Sequence, residues 1–272
     1  MRSTDYLGYL GKVMSEGPEE PNQRTGLKTR RILGAIVDLT REDGIFSPRK
    51  MSARIAAAEA VWMLMGTKRT EWVSRHTSIW KKFEDDDAPG FINTAYGFRL
   101  RHAFGRDQIE EAISLLQKDP STRQCLLMNW DPRVDGLMRQ GMSKNVPCPF
   151  SFQLLVQGGE GFVVVYQRSA DSVIGIPYDL MYYYILAQAV FNSAGHPFYG
   201  VRIMVGDAHV YENHYVLADR MLGCVLPRHP HYLRHSWTVE EILLAPDDFV
   251  SNFAGVYKGV EWPIEERLEA AQ

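Results

Sequence analysis

The chain is short of cysteine, with only Cys125, Cys148 and Cys224 among its 272 residues. So few thiols, odd in number and widely separated, suggest neither a disulfide framework nor a thiolate metal site, and they fit a reduced, cytoplasmic setting. The sequence also lacks any apolar run near the roughly twenty residues that span a bilayer. Residues 1–17 carry charges throughout, unlike the apolar centre of a secretory signal. We therefore expect no metal and no membrane partner.

An excess of positive charge is missing as well. The formal net charge is -3, which argues against nucleic acid or a membrane surface as the main partner. An anionic ligand must therefore be bound by a local cluster of cations. No repeat, low-complexity tract or linker divides the sequence, and its length can bury a sizeable core. We predict one domain over residues 1–272.

The hydrophobic patterns predict a mixed α+β domain. Apolar residues at helical spacing indicate a helix over 51–65, capped by Ser52, and another over 107–116. Residues 178–194 are apolar on nearly every side between Pro177 and Gly195, as is typical of a buried helix. A short helix is expected before Met14. Strands are predicted over 31–39, 124–130, 150–157, 161–167, 201–205 and 247–257.

Cys148 has the surroundings of a reactive thiol. Pro147 and Pro149 restrict the backbone on both sides of it, and Arg168 follows twenty residues later. A guanidinium close to a thiol favours the nucleophilic thiolate. A free cysteine alone is more often a small buried hydrophobe, so the interpretation depends on the neighbouring motifs.

Those motifs resemble the thymidylate synthase superfamily. Cys148 stands at the family's spacing before Arg168, and the matches run in order from about residue 20 to 220. They are Arg24-Thr25-Gly26, Glu59 with Trp62 and Gly66, Ile79-Trp80, Tyr96-Gly97, Gln167-Arg168-Ser169-Ala170-Asp171, Gly175-Ile176-Pro177-Tyr178, and Gly206-Asp207-Ala208-His209-Val210-Tyr211-Glu212-Asn213-His214.

The resemblance implies a thymidylate synthase-like fold, with a central mixed sheet, a long buried helix and flanking helices. It also implies a homodimeric enzyme that takes a one-carbon unit from 5,10-methylenetetrahydrofolate to C5 of a pyrimidine nucleotide monophosphate. Cys148 would add to C6 of the base, since C5 becomes nucleophilic only after that addition. Glu59 would organise water and relay protons, a role that burial on an apolar helix favours by raising its pKa.

The same resemblance implies roles for the remaining motif residues. Arg24, Arg168 and Ser169 would hold the 5′-phosphate, because guanidinium groups and a hydroxyl suit a dianion. His209 and Tyr211 would bind the sugar 3′-hydroxyl, and Gln167 joins the substrate-binding set. Trp80 and Asp171 match positions that contact the folate. Asp171 is expected to bind the substrate as well.

The phosphate site departs from the family pattern at one position. Family members complete this site with two adjacent arginines from the partner subunit, and the matching residues here are Arg123 and Gln124. Arg123 is therefore expected to act across the dimer interface without its usual neighbour. Lys28 or Arg133 would be candidates to compensate for the missing charge.

A second departure from the family pattern, at Asp179, concerns which base is bound. Thymidylate synthases have asparagine there, which donates to O4 of uracil and accepts from N3–H. Cytosine presents a donor at C4 and an acceptor at N3, and a carboxyl group that shares one proton with N3 matches that pattern. An aspartate at this position is a feature of the deoxycytidylate hydroxymethylase branch. A simple interaction with the helix dipole is the alternative.

Two further departures concern the product. The family usually has histidine after the nucleophile, where this chain has Pro149, and residues 267–272 are polar where synthases have an apolar tail that excludes water. The polar tail favours water addition and a 5-hydroxymethyl product, while the effect of Pro149 is left open. The favoured substrate is dCMP. The alternatives are an enzyme that prefers CMP, a C5-methylating enzyme, and a non-catalytic nucleotide-binding or RNA-binding regulator; an obligate nucleic-acid partner is not expected. His229, His231 and His235 are interpreted as a surface loop rather than a metal site.

Overall fold

The structure is a computed structural model that describes residues 5–23, 25–43, 46–137, 146–226, 234–256, 260 and 262–265. Its helices are α1 (Tyr6–Glu16), α2 (Ala53–Met65), α3 (Tyr96–Phe98), α4 (Gln108–Lys118), α5 (Gly175–Ala194), α6 (Tyr215–Leu222), α7 (Val239–Leu244) and α8 (Pro246–Val256). Its strands are β1 (Glu19–Pro21), β2 (Lys28–Thr40), β3 (Leu126–Met128), β4 (Pro149–Gln157), β5 (Glu160–Asp171) and β6 (Phe198–Tyr211). Short 3₁₀ turns occur at Val73–Arg75, Ile79–Phe83 and Glu212–His214, and a π-helical turn at Arg99–Ala103.

The described strands form one six-stranded mixed sheet in the order β1-β2-β6-β5-β4-β3. Only the central pair, β5 with β6, is parallel, and the other neighbours are antiparallel. Helix α5 connects β5 to β6, as a parallel pair requires. The α+β prediction with a central mixed sheet is confirmed.

Two apolar helices form much of the core. In α5, residues such as Tyr183, Tyr184 and Phe191 are fully buried, and the helix ends at Gly195 in the left-handed conformation (φ 80°). Helix α2 is buried along nearly its whole length and begins where the Ser52 hydroxyl accepts a hydrogen bond from the Ile55 N–H. Both helices and the Ser52 cap were predicted from the sequence.

The prediction of a strand over 247–257 is wrong. Pro246–Val256 is a helix, and the sequence carries signals for one that the strand interpretation overlooked. Pro246 stands at the first helical position, with Asp247 and Asp248 in the first turn. Phe249, Val250 and Phe253 follow at helical spacing and are buried.

A second, smaller hydrophobic cluster lies beside α2. It contains Trp62, Val73, Ile92 and Ala95, with Trp72, Trp80, Phe83 and Phe98 packed against it. Gly97 allows α3 to approach α2 closely, since a Cβ there would lie only 2.3 Å from the Met63 carbonyl oxygen. This approach places Tyr96 against α2 at the edge of the candidate site.

One face of the sheet keeps apolar side chains at the surface of the single chain. Met128, Ser151, Tyr166 and Met204 are register partners on neighbouring strands and therefore share a face. Met128 and Met204 are exposed, as is Leu126, two residues along β3. Among the described helices, none is long and apolar enough to cross a membrane.

Candidate active site

Cys148 immediately precedes β4 and Arg168 lies near the end of β5, where the pairing of the two strands brings them together. The backbone N–H of Arg168 donates to the Cys148 carbonyl across 2.9 Å, which fixes the two residues side by side. The guanidinium donates from Nε to the Pro147 carbonyl at 2.9 Å, and Nη2 lies 3.8 Å from the Cys148 sulfur. A positive charge at this distance stabilises a thiolate. The half-buried sulfur therefore has the surroundings expected of a nucleophile.

Asp179 lies in the first turns of α5, next to Gln167 of β5. The Gln167 Nε2 atom donates a hydrogen bond to Oδ2 of Asp179 at 2.8 Å. Burial raises the pKa of the Asp179 carboxyl to about 7, although the hydrogen bonds from Gln167 and Tyr182 oppose the shift. With Oδ2 accepting from Gln167, a proton on Oδ1 would give the neutral acid one acceptor oxygen and one oxygen that can donate.

Glu59 lies on α2, and its carboxyl accepts a hydrogen bond from Trp80 Nε1 at 3.0 Å. Burial raises the pKa of Glu59 to about 8; the Trp80 hydrogen bond lowers it and the charge of Asp179 raises it. At neutral pH Glu59 is therefore mostly protonated and can supply a proton. The sequence predicts that burial on an apolar helix raises this pKa, and the shift has that direction.

Tyr96 lies close to both parts of this cluster. Burial raises the pKa of its phenol, and the charges of Cys148 and Asp179 raise it further, while Arg168 lowers it. Tyr96 thus remains a neutral hydroxyl that can donate a hydrogen bond near the thiol. The Tyr96-Gly97 match places Tyr96 in the ordered series of motifs, and that position is the sequence signal for Tyr96, for which no role was predicted.

A polar cavity of about 280 Å³ lies between the β1 hairpin and the ends of β2, β5 and β6. Ser169 and His209 line it, and the Ser169 hydroxyl is 3.5 Å from His209 Nδ1. The Tyr211 ring packs edge-on against His209 with their centroids 5.0 Å apart. The remaining lining residues are Glu20, Pro21, Asn22, Gln23, Thr29, Arg31 and Asp207. None of these seven was predicted as a site residue, although Asp207 lies within the matched motif that contains His209.

Trp80 and Asp171, the two residues predicted to contact folate, are both held by contacts within the chain. The Trp80 indole is half-buried and lies 5.0 Å from the Trp62 ring, so its surface offers an aromatic platform. Oδ1 of Asp171 accepts from the backbone N–H groups of Val173 and Ile174 at 2.8 and 3.0 Å. These bonds orient the Asp171 carboxylate through Oδ1.

The predicted phosphate ligands are not all described. Arg24 lies outside the described residues. Lys28 pairs with Glu19 at 2.8 Å, and Arg133 pairs with Asp131, so neither cation lines the cavity beside Ser169. The structure gives no support to either as a compensating phosphate ligand.

Arg123 and Gln124 lie elsewhere in the single chain. They are exposed and line a shallow cavity of about 380 Å³ with Leu126, Phe150, Ser151, Gln153 and Tyr166. This cavity adjoins the sheet face that exposes Met128 and Met204. Within its own chain, Arg123 is therefore not among the residues that line the cavity beside Ser169.

The histidine cluster is described only in part. His229 and His231 lie outside the described residues, while His235 packs edge-on against Phe249 with ring centroids 5.2 Å apart. Its Nε2 lies 3.0 Å from the Ile185 carbonyl oxygen, and burial lowers its pKa to about 4. His235 is thus a packing residue. In the described part of the chain, no group of three or more His, Cys, Asp or Glu side chains is arranged to hold a metal ion.

A comparison with models of known protein families matches residues 4–240 to the family described as thymidylate synthase. The matched range contains Cys148, Arg168, Asp179 and His209, and it covers most of the 272 residues.

Proposed function

The chain belongs to the thymidylate synthase family, and we propose that it is the enzyme that hydroxymethylates C5 of deoxycytidylate. Membership of the family implies a folate-dependent enzyme that transfers a one-carbon unit to a pyrimidine nucleotide. The finer proposal concerns the base, the sugar and the product. It rests chiefly on one observation, the half-buried Asp179 carboxyl with its Oδ2 atom bonded to Gln167.

Asp179 supports the choice of cytosine through its fixed polarity. Oδ2 is held as an acceptor and would face the 4-amino group, while Oδ1 would share a proton with N3. Uracil in the same pose would place its O4 acceptor against an acceptor and its N3–H donor against a donor. A buried polar group left without a partner costs about 1–3 kcal/mol, so two mismatches discriminate strongly.

The other residues supply the covalent chemistry. The Cys148 thiolate would add to C6, which places an electron pair at C5 for attack on the one-carbon unit. Methylenetetrahydrofolate supplies that carbon at the oxidation level of formaldehyde. Loss of the C5 proton and departure of tetrahydrofolate would leave an exocyclic methylene at C5 while Cys148 is still bonded to C6. Water would add to that methylene to give the hydroxymethyl group, and elimination of the Cys148 thiolate from C6 would restore the aromatic ring. Glu59, protonated at neutral pH, would exchange protons with the base and with water.

The arrangement of the dimer is also part of the proposal. The exposed apolar face with Met128 and Met204 would form the interface, since an exposed apolar patch of this kind marks a contact surface. Arg123 at its edge would then reach the phosphate of the partner subunit. Arg24, Arg168 and Ser169 would complete the phosphate site from within the chain.

The choice of a hydroxymethyl product rests on Asp179, since an aspartate at this position is a feature of the deoxycytidylate hydroxymethylase branch. Pro149, which stands where the family usually has histidine, is buried at the start of β4, and its carbonyl accepts a hydrogen bond from Asn129 at 3.1 Å. A CMP-preferring enzyme and a C5-methylating enzyme share the chemistry of Cys148 and Arg168. A non-catalytic regulator would not require a thiol beside a guanidinium.

Tritium release from the C5 position tests the proposal directly. Full-length protein is incubated with methylenetetrahydrofolate and [5-³H]dCMP, [5-³H]CMP or [5-³H]dUMP, and the product mass is measured. Release should be fastest from dCMP, with a hydroxymethyl product, and Cys148→Ser should abolish it. A lack of release from every nucleotide would contradict an enzymatic role, whereas a methyl product or a faster reaction with dUMP or CMP would contradict only the finer assignment.

A further inference from the structure

Asp207 lies between a guanidinium and an imidazole in the cavity beside Ser169. Its Oδ2 accepts a hydrogen bond from Arg31 Nη1 at 2.8 Å, and its Oδ1 lies 3.1 Å from His209 Nδ1. The pairing of β2 with β6 creates this contact, because Arg31 is the register partner of His209 and Leu33 that of Asp207. Residues 176 positions apart in sequence are thereby joined.

The charges in this arrangement decide which nitrogen of His209 carries the proton. The hydrogen bond to His209, and then the contact with Arg31, lower the pKa of Asp207, so its carboxylate is ionised and only accepts hydrogen bonds. His209 Nδ1 must then be the protonated nitrogen that donates to Oδ1. In the neutral imidazole, this leaves Nε2 with a free lone pair.

The surroundings of Arg31 do not suit a phosphate. Its Nε donates to Glu20 Oε2 at 2.7 Å, so one guanidinium already serves two carboxylates within the cavity lining. The sum of these three charges is negative, so the side of the cavity next to Arg31 disfavours a dianion and suits hydroxyl groups. Arg31 thus differs from Arg168, which lies beside the thiol.

We propose that Arg31 and Asp207 are positioning residues that hold His209 in the tautomer whose Nε2 accepts a hydrogen bond from the 3′-hydroxyl of the nucleotide. The inference rests on the proposed function for the identity of the ligand. Arg31 acts only through Asp207, and it anchors the carboxylate so that both of its oxygens have fixed partners. The sequence could not indicate this, because the contact forms only when β2 pairs with β6.

Binding of two nucleotides that differ only at the 3′ position tests the proposal. The dissociation constants of dCMP and 2′,3′-dideoxycytidine monophosphate are measured by titration calorimetry on the full-length wild type and on Arg31→Gln. Arg30→Gln is the matched control, since Arg30 neighbours Arg31 but bonds to the Met14 carbonyl and stacks over Tyr215. Asp207→Asn provides a second variant, because an amide in place of the carboxylate can donate to Nδ1 and reverse the tautomer.

The wild type and Arg30→Gln should bind dCMP about tenfold more tightly than the dideoxy nucleotide, as expected for loss of one hydrogen bond. Arg31→Gln and Asp207→Asn should reduce that ratio to about twofold. An equal loss of affinity for both nucleotides in Arg31→Gln, with the ratio unchanged, would show that Arg31 contacts phosphate and would overturn the proposal. A wild type that ignores the 3′-hydroxyl would overturn it as well.

The same titrations distinguish a failure of cytosine selection from a failure of the proposal for His209. If dUMP binds more tightly than dCMP, cytosine selection fails, and the ratio is measured instead between dUMP and 2′,3′-dideoxyuridine monophosphate. If the wild type binds none of the four nucleotides, both the proposed function and this inference are wrong.

Discussion

The indole Nε1 of Trp80 donates a hydrogen bond to Oε1 of Glu59 across 3.0 Å. This contact joins a residue predicted to bind the folate to the carboxyl predicted to relay protons. The hydrogen bond lowers the pKa of Glu59, while burial raises it to about 8. A ligand that contacted the Trp80 ring would therefore act on the Glu59 carboxyl through a single side chain.

Trp80→Phe should raise the pKa of Glu59, because it removes the hydrogen bond that favours the ionised form. A hydrogen bond to a charged group contributes about 1.5–3 kcal/mol, and one pKa unit corresponds to about 1.4 kcal/mol, so the shift should be about one unit or more. The measurement is kcat as a function of pH at saturating substrate concentrations. The fall in kcat at alkaline pH should occur at higher pH in the variant. Trp72→Phe is the control, since the Trp72 Nε1 is buried without a hydrogen-bond partner among the described residues. A downward shift in Trp80→Phe would contradict the assignment.

Glu59 should also make stability depend on pH. Its pKa is about 8 in the folded chain against 4.5 as the reference for an unfolded glutamate. Between these values the folded state retains a proton that the unfolded state has released. The contribution to stability is thus complete below about 4.5 and is lost as the pH rises through about 8.

Glu59→Gln should flatten this part of the profile. Thermal unfolding between pH 4.5 and 9 would show a smaller fall in Tm for the variant than for the wild type. The exposed Glu71→Gln serves as the comparison and should retain the wild-type slope. An unchanged slope in Glu59→Gln would mean that Glu59 is ionised in the folded protein.

The sequence predicted those parts of the fold that are encoded locally. Helices α2 and α5 carry a cap at Ser52 and a stop at Gly195, and both are apolar on nearly all sides. The hairpin of β4 and β5 was marked by Gly158-Gly159. The extent of β6 was underestimated, because its last residues, such as Asp207 and His209, are polar and lie at the functional end of the sheet.

The candidate site could be predicted only where a motif carried it. Cys148, Arg168 and Asp179 lie in recognisable blocks, and the fold brings Cys148 beside Arg168 and Asp179 beside Gln167. The partnership of Arg31 with Asp207 depends on strand pairing between distant segments. Likewise, the approach of Tyr96 depends on the packing of Gly97 against α2.

Asp179→Asn should shift the preference from cytosine toward uracil. The ratio of kcat/KM for dCMP to that for dUMP should fall by at least about 100-fold, since two buried hydrogen bonds change polarity. Steady-state kinetics with both nucleotides measures the ratio. Asp171→Asn makes the same chemical change nearby and should reduce both rates without changing the ratio. An unchanged ratio in Asp179→Asn would refute base selection by Asp179.

The acid form of Asp179 predicts a pH dependence in the wild type. Since its pKa is about 7, the proton shared with cytosine N3 becomes scarcer as the pH rises through 7. kcat/KM for dCMP should therefore decline as the pH rises above 7, and more steeply above about 8, where Glu59 also loses its proton. In Asp179→Asn, the residual reaction should lack this decline and follow Glu59 near pH 8 instead.

The buried ion pair between Arg99 and Asp135 should be important for stability. Arg99 Nη2 donates to Asp135 Oδ1 at 2.9 Å, and Nη1 also contacts the Asn129 carbonyl at 2.7 Å. Asp135→Asn leaves a buried guanidinium without its counter-ion and should cost about 3–5 kcal/mol of unfolding free energy. The exposed pair of Arg106 with Glu111 provides the control, and Glu111→Gln should cost about 0–1 kcal/mol. Urea denaturation of the three proteins would measure the difference, and similar losses would contradict a special role for burial.

Mixing two inactive variants tests whether Arg123 serves the partner subunit. Consider a mixed dimer of one Cys148→Ala chain and one Arg123→Ala chain. The site of the Cys148→Ala chain lacks both residues, whereas the site of the Arg123→Ala chain has its own Cys148 and receives the partner's Arg123. Random reassociation makes half of the dimers mixed, each with one intact site, so the mixture should regain about a quarter of wild-type activity. Activity is followed by tritium release after the separately purified variants are dissociated together and refolded. Mixtures that remain no more active than their components would show that Arg123 acts within its own chain or that the active unit is a monomer.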